Sequence, residues 1–408
     1  MHTKFTLPAL TIAAALSACV PAATPEATAP ASDPAAIHER VLTLDTHLDT
    51  PIHFDRAGWR FGDAHSYVGD LSHVDLPRMR AGGLDGGIFV IYTGQGPLTD
   101  AGYAAAAAHA QRRIASTERV FADVRDGMTQ VTSAAGAEQV TAGGKRFAMI
   151  SIENSYPLGQ SVAGLADYRR RGVIMAGPVH NGGNQFGDSA SGGTQRWGGL
   201  SPLGRHWVAE MNRLGMIIDG SHASDAALDQ ILELSVAPII LSHSGLDAIF
   251  DHARNISDAQ LRSLAAHGGV LQINSVFLSR FNNSAARAPL YDLFDRIETL
   301  TPQQQRQLAA DWAALDRSER VNEGDFALYM RALLHCLAVV GPDHCGLGVD
   351  WDGGGGVRGF EDITALPQVT AALVAAGYGE ADIAKIWGGN VLRVLRAVEA
   401  TRARLRRR

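Results

Sequence analysis

Apolar residues recur along the chain in eight short runs, which are separated by longer segments of mixed polarity. The runs are rich in Val, Ile and Leu and are apolar on both faces, a pattern typical of parallel strands covered by helices on both sides. We number them as predicted strands 1 to 8, and they lie at 41–47, 86–92, 146–153, 172–179, 215–221, 237–242, 268–274 and 345–350.

The intervening segments repeat apolar residues every three or four positions and therefore predict helices. Regular alternation of strand and helix indicates right-handed crossovers and a parallel sheet, and eight strands indicate that the sheet closes on itself. The sequence thus predicts an α/β fold, a (β/α)8 TIM-type barrel. The longest crossover, 276–344, holds two helical patterns, so we expect a helical insertion between predicted strands 7 and 8.

The N-terminus has the pattern of an export signal. The apolar run at 5–16 is too short for a permanent membrane span, and the sequence LSAC at 16–19 resembles a bacterial lipoprotein cleavage box. We expect a lipoprotein-type signal peptide at 1–18 and a lipid on Cys19 that anchors the protein to the membrane. Plain signal cleavage is the alternative. Either way the mature protein is expected to be exported, to the bacterial periplasm or cell envelope.

The expected domain boundaries follow from composition. Residues 19–36 are almost entirely Pro, Ala, Thr and Ser, which cannot build a core, and are expected to form a tether. A single barrel domain is then predicted at 37–400, followed by a basic tail at 401–408. We expect the tail to be a solvated helix end, with contact to anionic lipid as the alternative.

Charge and cysteine content narrow the partners and the redox state. The 408 residues carry a net charge of −6, so the chain lacks the basic field that binds nucleic acid. Once Cys19 carries lipid, Cys336 and Cys345 are the remaining thiols. They could pair in an oxidising compartment, but from the sequence alone we expect two small, buried, unbonded side chains.

Histidines and carboxylates stand where four predicted strands end. They are His47 and Asp49 at strand 1, Glu153 at strand 3, His222 at strand 5 and His243 at strand 6. Because the carboxyl ends of the strands of such a barrel meet at one face, we expect these side chains to converge. Imidazole and carboxylate ligands suit Zn²⁺, and a shared carboxylate and water can bridge two ions. The pattern therefore predicts a dinuclear metal site.

Each of these residues has a structural alternative when it is taken alone. A salt bridge would account for Glu153, and a hydrogen-bonded pair of core histidines would account for His222 and His243. Their common place at strand ends favours metal binding. We expect Ser221, Ser242 or backbone groups to orient the second nitrogens of the two histidines.

Three further residues follow the same edge. His180 ends predicted strand 4 and could donate a hydrogen bond to a developing oxyanion. Asp350 ends predicted strand 8, beside strand 1, and is suited to hold a water and move its proton, with Asp352 a less well-placed candidate. Arg254 could clamp a carboxylate with two parallel hydrogen bonds, and a plain surface arginine is the alternative. The glycines at 353–356 are not followed by G-K-[ST], so they do not indicate a phosphate loop.

In order along the chain, these motifs resemble the membrane dipeptidase family, also called renal dipeptidases, a branch of the metal-dependent amidohydrolase barrels. The resemblance runs from about Val41 to Val394. It rests on THLDT, SIENSYPLG, PVHNGGN, GLSPLGRHWVAEMNRLGMIIDGSHAS, LSHSG, HARNISD, GVDWDGG and GYGEADIAKIWGGNVLRVL.

The resemblance implies two Zn²⁺ per chain, bridged by Glu153 and a water or hydroxide. His47 and Asp49 would bind one ion, and His222 and His243 the other.

It also implies roles around the metals. His180, Asn181 and Arg254 would bind the substrate, Asp350 would be the catalytic acid and base, and His180 would also be catalytic by polarising the carbonyl oxygen. The chain departs from the family pattern at Gly220, at Pro178 and Val179, and at Trp351, which could alter the shape of the pocket.

The expected function is hydrolysis of dipeptides, which could include L,D-dipeptides, by a hydroxide that bridges the metals. One alternative is an amidohydrolase acting on another amide, an ester or a lactone. Another is a non-catalytic barrel lipoprotein. Formation of a homodimer is left open.

Overall fold

The computed structural model describes residues 33–407. The predicted signal peptide, Cys19, nearly all of the predicted tether and Arg408 lie outside the described residues. Export, the lipid anchor and the domain boundaries therefore stay predictions. Among the described residues, no helix combines the length and the apolar character that a membrane crossing requires.

The described chain contains ten strands, and eight of them correspond to the predicted strands. The two others, β3 and β8, are short and pair in parallel with β4 and β7. The strands are β1 Leu44–Leu48, β2 Gly86–Tyr92, β3 Met128–Gln130, β4 Arg146–Glu153, β5 Val173–Ala176, β6 Ile217–Ile218, β7 Ile240–Leu246, β8 Asn255–Ile256, β9 Val270–Ile273 and β10 Cys345–Leu347. Both β5 and β6 are shorter than predicted, because the chain beyond them already turns into the loops of the site.

The strands form two parallel arcs that meet on both sides. One arc has the order β1-β2-β4-β5-β6, and the other has the order β10-β9-β7-β8. A parallel bridge joins Asp219, just after β6, to Ile240 of β7, and another joins Leu48 of β1 to Trp351, beyond β10. The predicted barrel is thereby confirmed. The carboxyl ends of its strands meet at one mouth.

Burial explains why the strands are apolar on both faces. Every residue of β4 from Phe147 to Glu153 is buried, because the barrel interior covers one face and helices cover the other. β2 and β4 pair without a register shift from Gly86 and Phe147 to Tyr92 and Glu153. This register puts Tyr92 beside Glu153 at the mouth.

Helices alternate with the strands, and several begin at serine N-caps such as Ser201, Ser224 and Ser257, whose side chains accept backbone hydrogen bonds. The predicted insertion is confirmed as α10 to α12. The helices are α1 Pro34–Arg40, α2 Tyr67–Asp70, α3 Leu76–Ala81, α4 Asp100–Asp123, α5 Ala134–Ala142, α6 Gly164–Arg170, α7 Pro202–Leu214, α8 Asp225–Leu234, α9 Asp258–Ala266, α10 Ala288–Phe294, α11 Pro302–Ser318, α12 Phe326–Val340, α13 Pro367–Ala375, α14 Glu380–Ala384 and α15 Asn390–Leu405. α15 runs into the predicted basic tail.

A disulfide joins Cys336 of α12 to Cys345 of β10. The expectation of two unbonded thiols is therefore wrong. The short connection between α12 and β10 folds back on itself, which leaves the two Cα atoms 6.1 Å apart, within the range that a disulfide spans. This distance could not be read from the sequence.

Candidate functional site

The five predicted metal ligands lie together at the mouth of the barrel. His47 and His243 lie within β1 and β7, Glu153 is the last residue of β4, and Asp49 and His222 lie just beyond β1 and β6. All are buried except Asp49, which is half-buried. We call these five residues the Glu153 cluster.

Glu153 is at the centre of this cluster. Its Oε1 lies 3.1 Å from Nε2 of His222, 3.4 Å from Nε2 of His243 and 3.7 Å from Nε2 of His47. Nε2 of His47 is also 3.3 Å from Oδ2 of Asp49. With bonds of about 2.0–2.1 Å, ligand atoms around a tetrahedral zinc ion stand roughly 3.3 Å apart. The observed spacings match those of two adjoining ligand sets.

The protein atoms do not satisfy one another in this cluster. Nε2 of His47 is buried and makes no hydrogen bond within residues 33–407. Nε2 of His222 lies 2.8 Å from Nε2 of His243, so one of these two acceptor positions would have to carry a proton. Buried polar atoms are normally paired, and cations among these atoms would pair them. The donor set therefore fits metal ions.

The electrostatics of the cluster favour the same conclusion. Burial alone would raise the pKa of Glu153, but His180, His47 and His222 hold this pKa well below its usual value. Burial lowers the pKa of His222 and of His243 well below that of a free histidine. The carboxylate and the neutral imidazoles are the forms that bind metal. At His47 the carboxylates of Glu153 and Asp49 outweigh burial and raise the pKa, which shows that the site stabilises positive charge.

Asp350 lies against Asp49, on the loop after β10. It is buried and has a left-handed backbone, with φ +74°. Burial raises the pKa of Asp350 well above its usual value, and the charges of Asp49 and Glu153 raise it further. A Cβ on Gly353 would lie 2.1 Å from Oδ2 of Asp49 and 2.2 Å from Oδ1 of Asp350, so a larger residue at this position would displace these carboxylates. A carboxyl group with a raised pKa is suited to exchange protons.

Asp352 belongs to a second buried group. Its Oδ1 accepts hydrogen bonds from the backbone N of His73 at 2.6 Å and from Nε2 of His53 at 3.2 Å. Its Oδ2 accepts from Oγ1 of Thr50 at 2.7 Å, and Nη1 of Arg56 donates to Nδ1 of His53 at 3.0 Å. We call these five residues the Asp352 cluster. Because its carboxylate is already paired, Asp352 is not suited to proton transfer at the Glu153 cluster.

His180 and Tyr92 border the Glu153 cluster. Nε2 of His180 lies 4.0 Å from Oε1 of Glu153, and its ring lies 4.2 Å from that of His222. Burial lowers the pKa of His180, so its imidazole is neutral. The ring of Tyr92 meets that of His180 edge to face at 4.7 Å. The sequence analysis missed Tyr92, although predicted strand 2 ends at the same edge.

Arg254 is buried beside the cluster rather than at the surface, so the plain surface alternative is wrong. Its Nη2 donates to the backbone O of His243 at 3.2 Å, and its guanidinium stacks on the ring of Phe277 at 5.1 Å. Burial lowers its pKa to about 10, which leaves it a cation at neutral pH. Asn181 is exposed next to His180, and its role stays a prediction.

The fold and the donor set define a barrel of the amidohydrolase type whose mouth is built to hold metal ions. Residues 32–408 match the family described as membrane dipeptidase, peptidase family M19. The chain is 31% identical to dipeptidase tcpJ of Claviceps purpurea over 357 residues, which cover 85% of this chain and 75% of that protein.

Solved structures agree with this match. The probable dipeptidase PvdM from Pseudomonas aeruginosa has a TM-score of 0.77 and 30% identity, with 90% of this chain and 98% of that chain covered. The dipeptidase AC, a metallopeptidase of family M19, has a TM-score of 0.70 and 25% identity, with 88% and 98% covered. The chain belongs to the membrane dipeptidase family. It is a hydrolase that acts on dipeptides, and these relatives support neither the other amidohydrolase substrates nor the non-catalytic barrel.

Proposed function

We propose that this chain is a dinuclear zinc dipeptidase whose two ions are held by the Glu153 cluster. In this proposal His47 and Asp49 bind one ion, His222 and His243 bind the other, and Glu153 binds both. The observation that carries the proposal is the single oxygen of Glu153 at 3.1–3.7 Å from three imidazole nitrogens. A lone buried carboxylate in such a place would be costly without cations.

The residues around the metals then divide the chemistry. Bound zinc would act as a Lewis acid on the scissile carbonyl and on the attacking water. Asp350 accepts the proton of that water on its carboxylate and delivers it to the leaving amine nitrogen. His180 donates a hydrogen bond from its neutral ring to the carbonyl oxygen as negative charge develops there. The raised pKa of Asp350 and its contact with Asp49 support this division.

Arg254 is proposed to select dipeptides by binding the free C-terminal carboxylate. A tripeptide would bring an amide to the same place, and the buried guanidinium would lose its charged partner. Asn181, at the exposed rim, is proposed to contact the substrate as well. We also propose that the enzyme hydrolyses L,D-dipeptides, which a panel of L,L- and L,D-dipeptides tests.

We also propose that the mature protein is exported and anchored through lipid on Cys19. The cleavage box at 16–19 supports this, and so does the Cys336–Cys345 disulfide, because such bonds persist in oxidising compartments. The mass of the N-terminal peptide of the mature protein tests the proposal, with Cys19→Ser as the control. A mature N-terminus that lacks lipid in the parent protein would contradict the anchor.

Metal analysis combined with a substrate panel tests the catalytic proposal. We expect close to two zinc ions per chain and turnover of L,L- and L,D-dipeptides but not of the matching tripeptides. In Arg254→Ala, kcat/KM for dipeptides should fall roughly a hundredfold, for the loss of about 3 kcal/mol of charged hydrogen bonding. Arg254→Lys, which keeps the charge, should lose less. Equal rates on tripeptides, or an unchanged rate in Arg254→Ala, would contradict the carboxylate clamp.

A further inference from the structure

The hydroxyl of Ser242, the third residue of β7, lies between one carboxylate and two imidazole rings. Its Oγ is 2.5 Å from Oδ2 of Asp219, 2.8 Å from Nδ1 of His243 and 3.2 Å from Nδ1 of His47. The two rings belong to different strands and lie 3.6 Å apart between centroids. Ser242 therefore contacts one proposed ligand of each ion.

The directions of these three hydrogen bonds follow from proton counting. An ionised carboxylate can only accept, so the single hydroxyl hydrogen of Ser242 goes to Asp219. The hydroxyl oxygen is then left with two acceptor positions, and each imidazole fills one by donating from a protonated Nδ1. A neutral imidazole with its proton on Nδ1 has a free lone pair on Nε2. In both His47 and His243, Nε2 is the nitrogen that faces Glu153.

The position of Ser242 is itself fixed by its surroundings. Oδ1 of Asp219 accepts from the backbone N of Ser221 at 3.0 Å and from that of Ser242 at 2.9 Å. The backbone O of Ser242 accepts from Oγ1 of Thr46 at 2.6 Å. Any Cβ on Gly348 would lie 1.8 Å from that oxygen, so the chain just after β10 also packs closely against this point. These contacts hold the backbone of Ser242 in place beside the two rings.

We propose that Ser242 is a shared positioning residue, which fixes the tautomer and the direction of one ligand of each metal ion through a single hydroxyl. This inference rests on the proposed function, because it takes His47 and His243 as ligands of different ions. Without the hydroxyl, either ring is free to carry its proton on Nε2, the nitrogen that must bind metal. Loss of a group that orients a ligand typically costs about tenfold to a hundredfold in metal affinity. Removal of Ser242 should therefore weaken both sites at once.

The metal-free full chain, with ¹⁵N-labelled histidine, gives a direct test by NMR of the ring tautomers. At a pH above the raised pKa of His47, where both rings are neutral, we expect His47 and His243 of the parent protein to carry the proton on Nδ1. In Ser242→Ala, both rings should lose this preference. Ser221→Ala is the matched control, since Oγ of Ser221 is also buried but accepts from the backbone N of His243 and not from its ring. It should keep the parent tautomers.

Asp219→Asn provides a second variant that retains the serine. Oδ1 of Asp219 accepts two backbone N–H groups, so the new amide NH₂ must take the place of Oδ2 and donate to Ser242. The hydroxyl hydrogen must then turn toward one of the two rings, which forces that ring to carry its proton on Nε2. We expect one histidine to change tautomer and the other to keep it.

Zinc titration of the same metal-free proteins completes the test. The parent should bind two ions, and Ser242→Ala should bind both about tenfold to a hundredfold more weakly. Asp219→Asn should weaken one ion more than the other, and Ser221→Ala should match the parent. If the parent binds two ions and Ser242→Ala shows the same affinities and tautomers, the role of Ser242 is wrong while the dinuclear site stands. If the parent binds no zinc, the dinuclear site itself is wrong.

Discussion

Two buried clusters of histidine and carboxylate lie at the mouth of the same barrel, and they differ in how their polar atoms are satisfied. In the Asp352 cluster each acceptor has a donor, because the carboxylate accepts hydrogen bonds from the Thr50 hydroxyl, the His73 backbone N–H and the His53 ring. In the Glu153 cluster, Nε2 of His222 faces Nε2 of His243, and Nε2 of His47 has no hydrogen-bond partner among the described residues. The polar atoms of the first cluster are satisfied by other protein atoms, whereas the donor set of the second fits metal ions.

The comparison shows that residue types alone do not separate a structural cluster from a metal site. The loop after β10 places a residue at each cluster, because Asp350 and Asp352 stand two positions apart. Both residues have a left-handed backbone, with φ angles of +74° and +67°. Non-glycine residues rarely adopt this conformation, and strain of this kind concentrates at functional sites. The pairing of Asp352 holds the loop, and the loop presents Asp350 to the Glu153 cluster.

The largest expected difference between the clusters is in catalysis. Glu153→Gln keeps the shape of the side chain but removes the charge that would hold both ions. Its kcat/KM should fall roughly a thousandfold, because bound metal supplies several kcal/mol of transition-state stabilisation. Asp352→Asn is the matched variant and should lose far less in steady-state assays on folded protein. Equal losses in the two variants would remove the distinction between the clusters.

Removal of metal should also act on one cluster alone. Chelation should lower the free energy of unfolding by about 4 kcal/mol if zinc was present at roughly a thousand times its dissociation constant. The loss should be the same in Asp352→Asn and absent in the double variant His47→Ala/His243→Ala. Denaturant unfolding with and without chelator measures it. If chelator still lowers the free energy of unfolding of the double variant, the metal binds at another site.

Changes in the Asp352 cluster should lower stability without changing the metal content. Asp352→Asn places an amide donor against at least one of the donors around it, and should cost about 3 kcal/mol of unfolding free energy. Its zinc content should stay that of the parent. Denaturant unfolding of the metal-free proteins, together with metal analysis, checks both points. If Asp352→Asn loses zinc but keeps its stability, Asp352 belongs to the metal site and not to a structural cluster.

The sequence predicted the barrel and the convergence of the Glu153 cluster because both follow from local patterns. Apolar runs mark the strands, and residues at their carboxyl ends share one mouth whatever the loops do. It did not predict the partners of Asp352, because His53 ends a short 3-10 helix after β1, His73 lies on a loop, and the approach of both depends on tertiary packing. The Cys336–Cys345 bond and the contact of Ser242 with His47 on β1 could not be predicted for the same reason. The pattern of apolar and polar residues indicates which segments form strands and helices, but it does not indicate the distances between them.

The smallest expected effect concerns Asp350 and its pH dependence. Burial and the nearby charges raise its pKa in the folded protein, so the folded state binds this proton more tightly than the unfolded state does. In the metal-free protein, Asp350 therefore costs stability as pH rises above the unfolded value of about 3.9. Asp350→Asn should be more stable than the parent at pH 7, and the difference should shrink as pH falls toward that value. Thermal unfolding across pH checks the sign, and a less stable variant at pH 7 would contradict it.

Anomalous diffraction at the zinc edge, from crystals of the full chain grown with zinc, tests the central claim most directly. Our account predicts two peaks, one on each side of the Glu153 carboxylate, with His47 and Asp49 at one and His222 and His243 at the other. It predicts no peak within the Asp352 cluster. A single peak, or none at Glu153, would contradict the dinuclear centre.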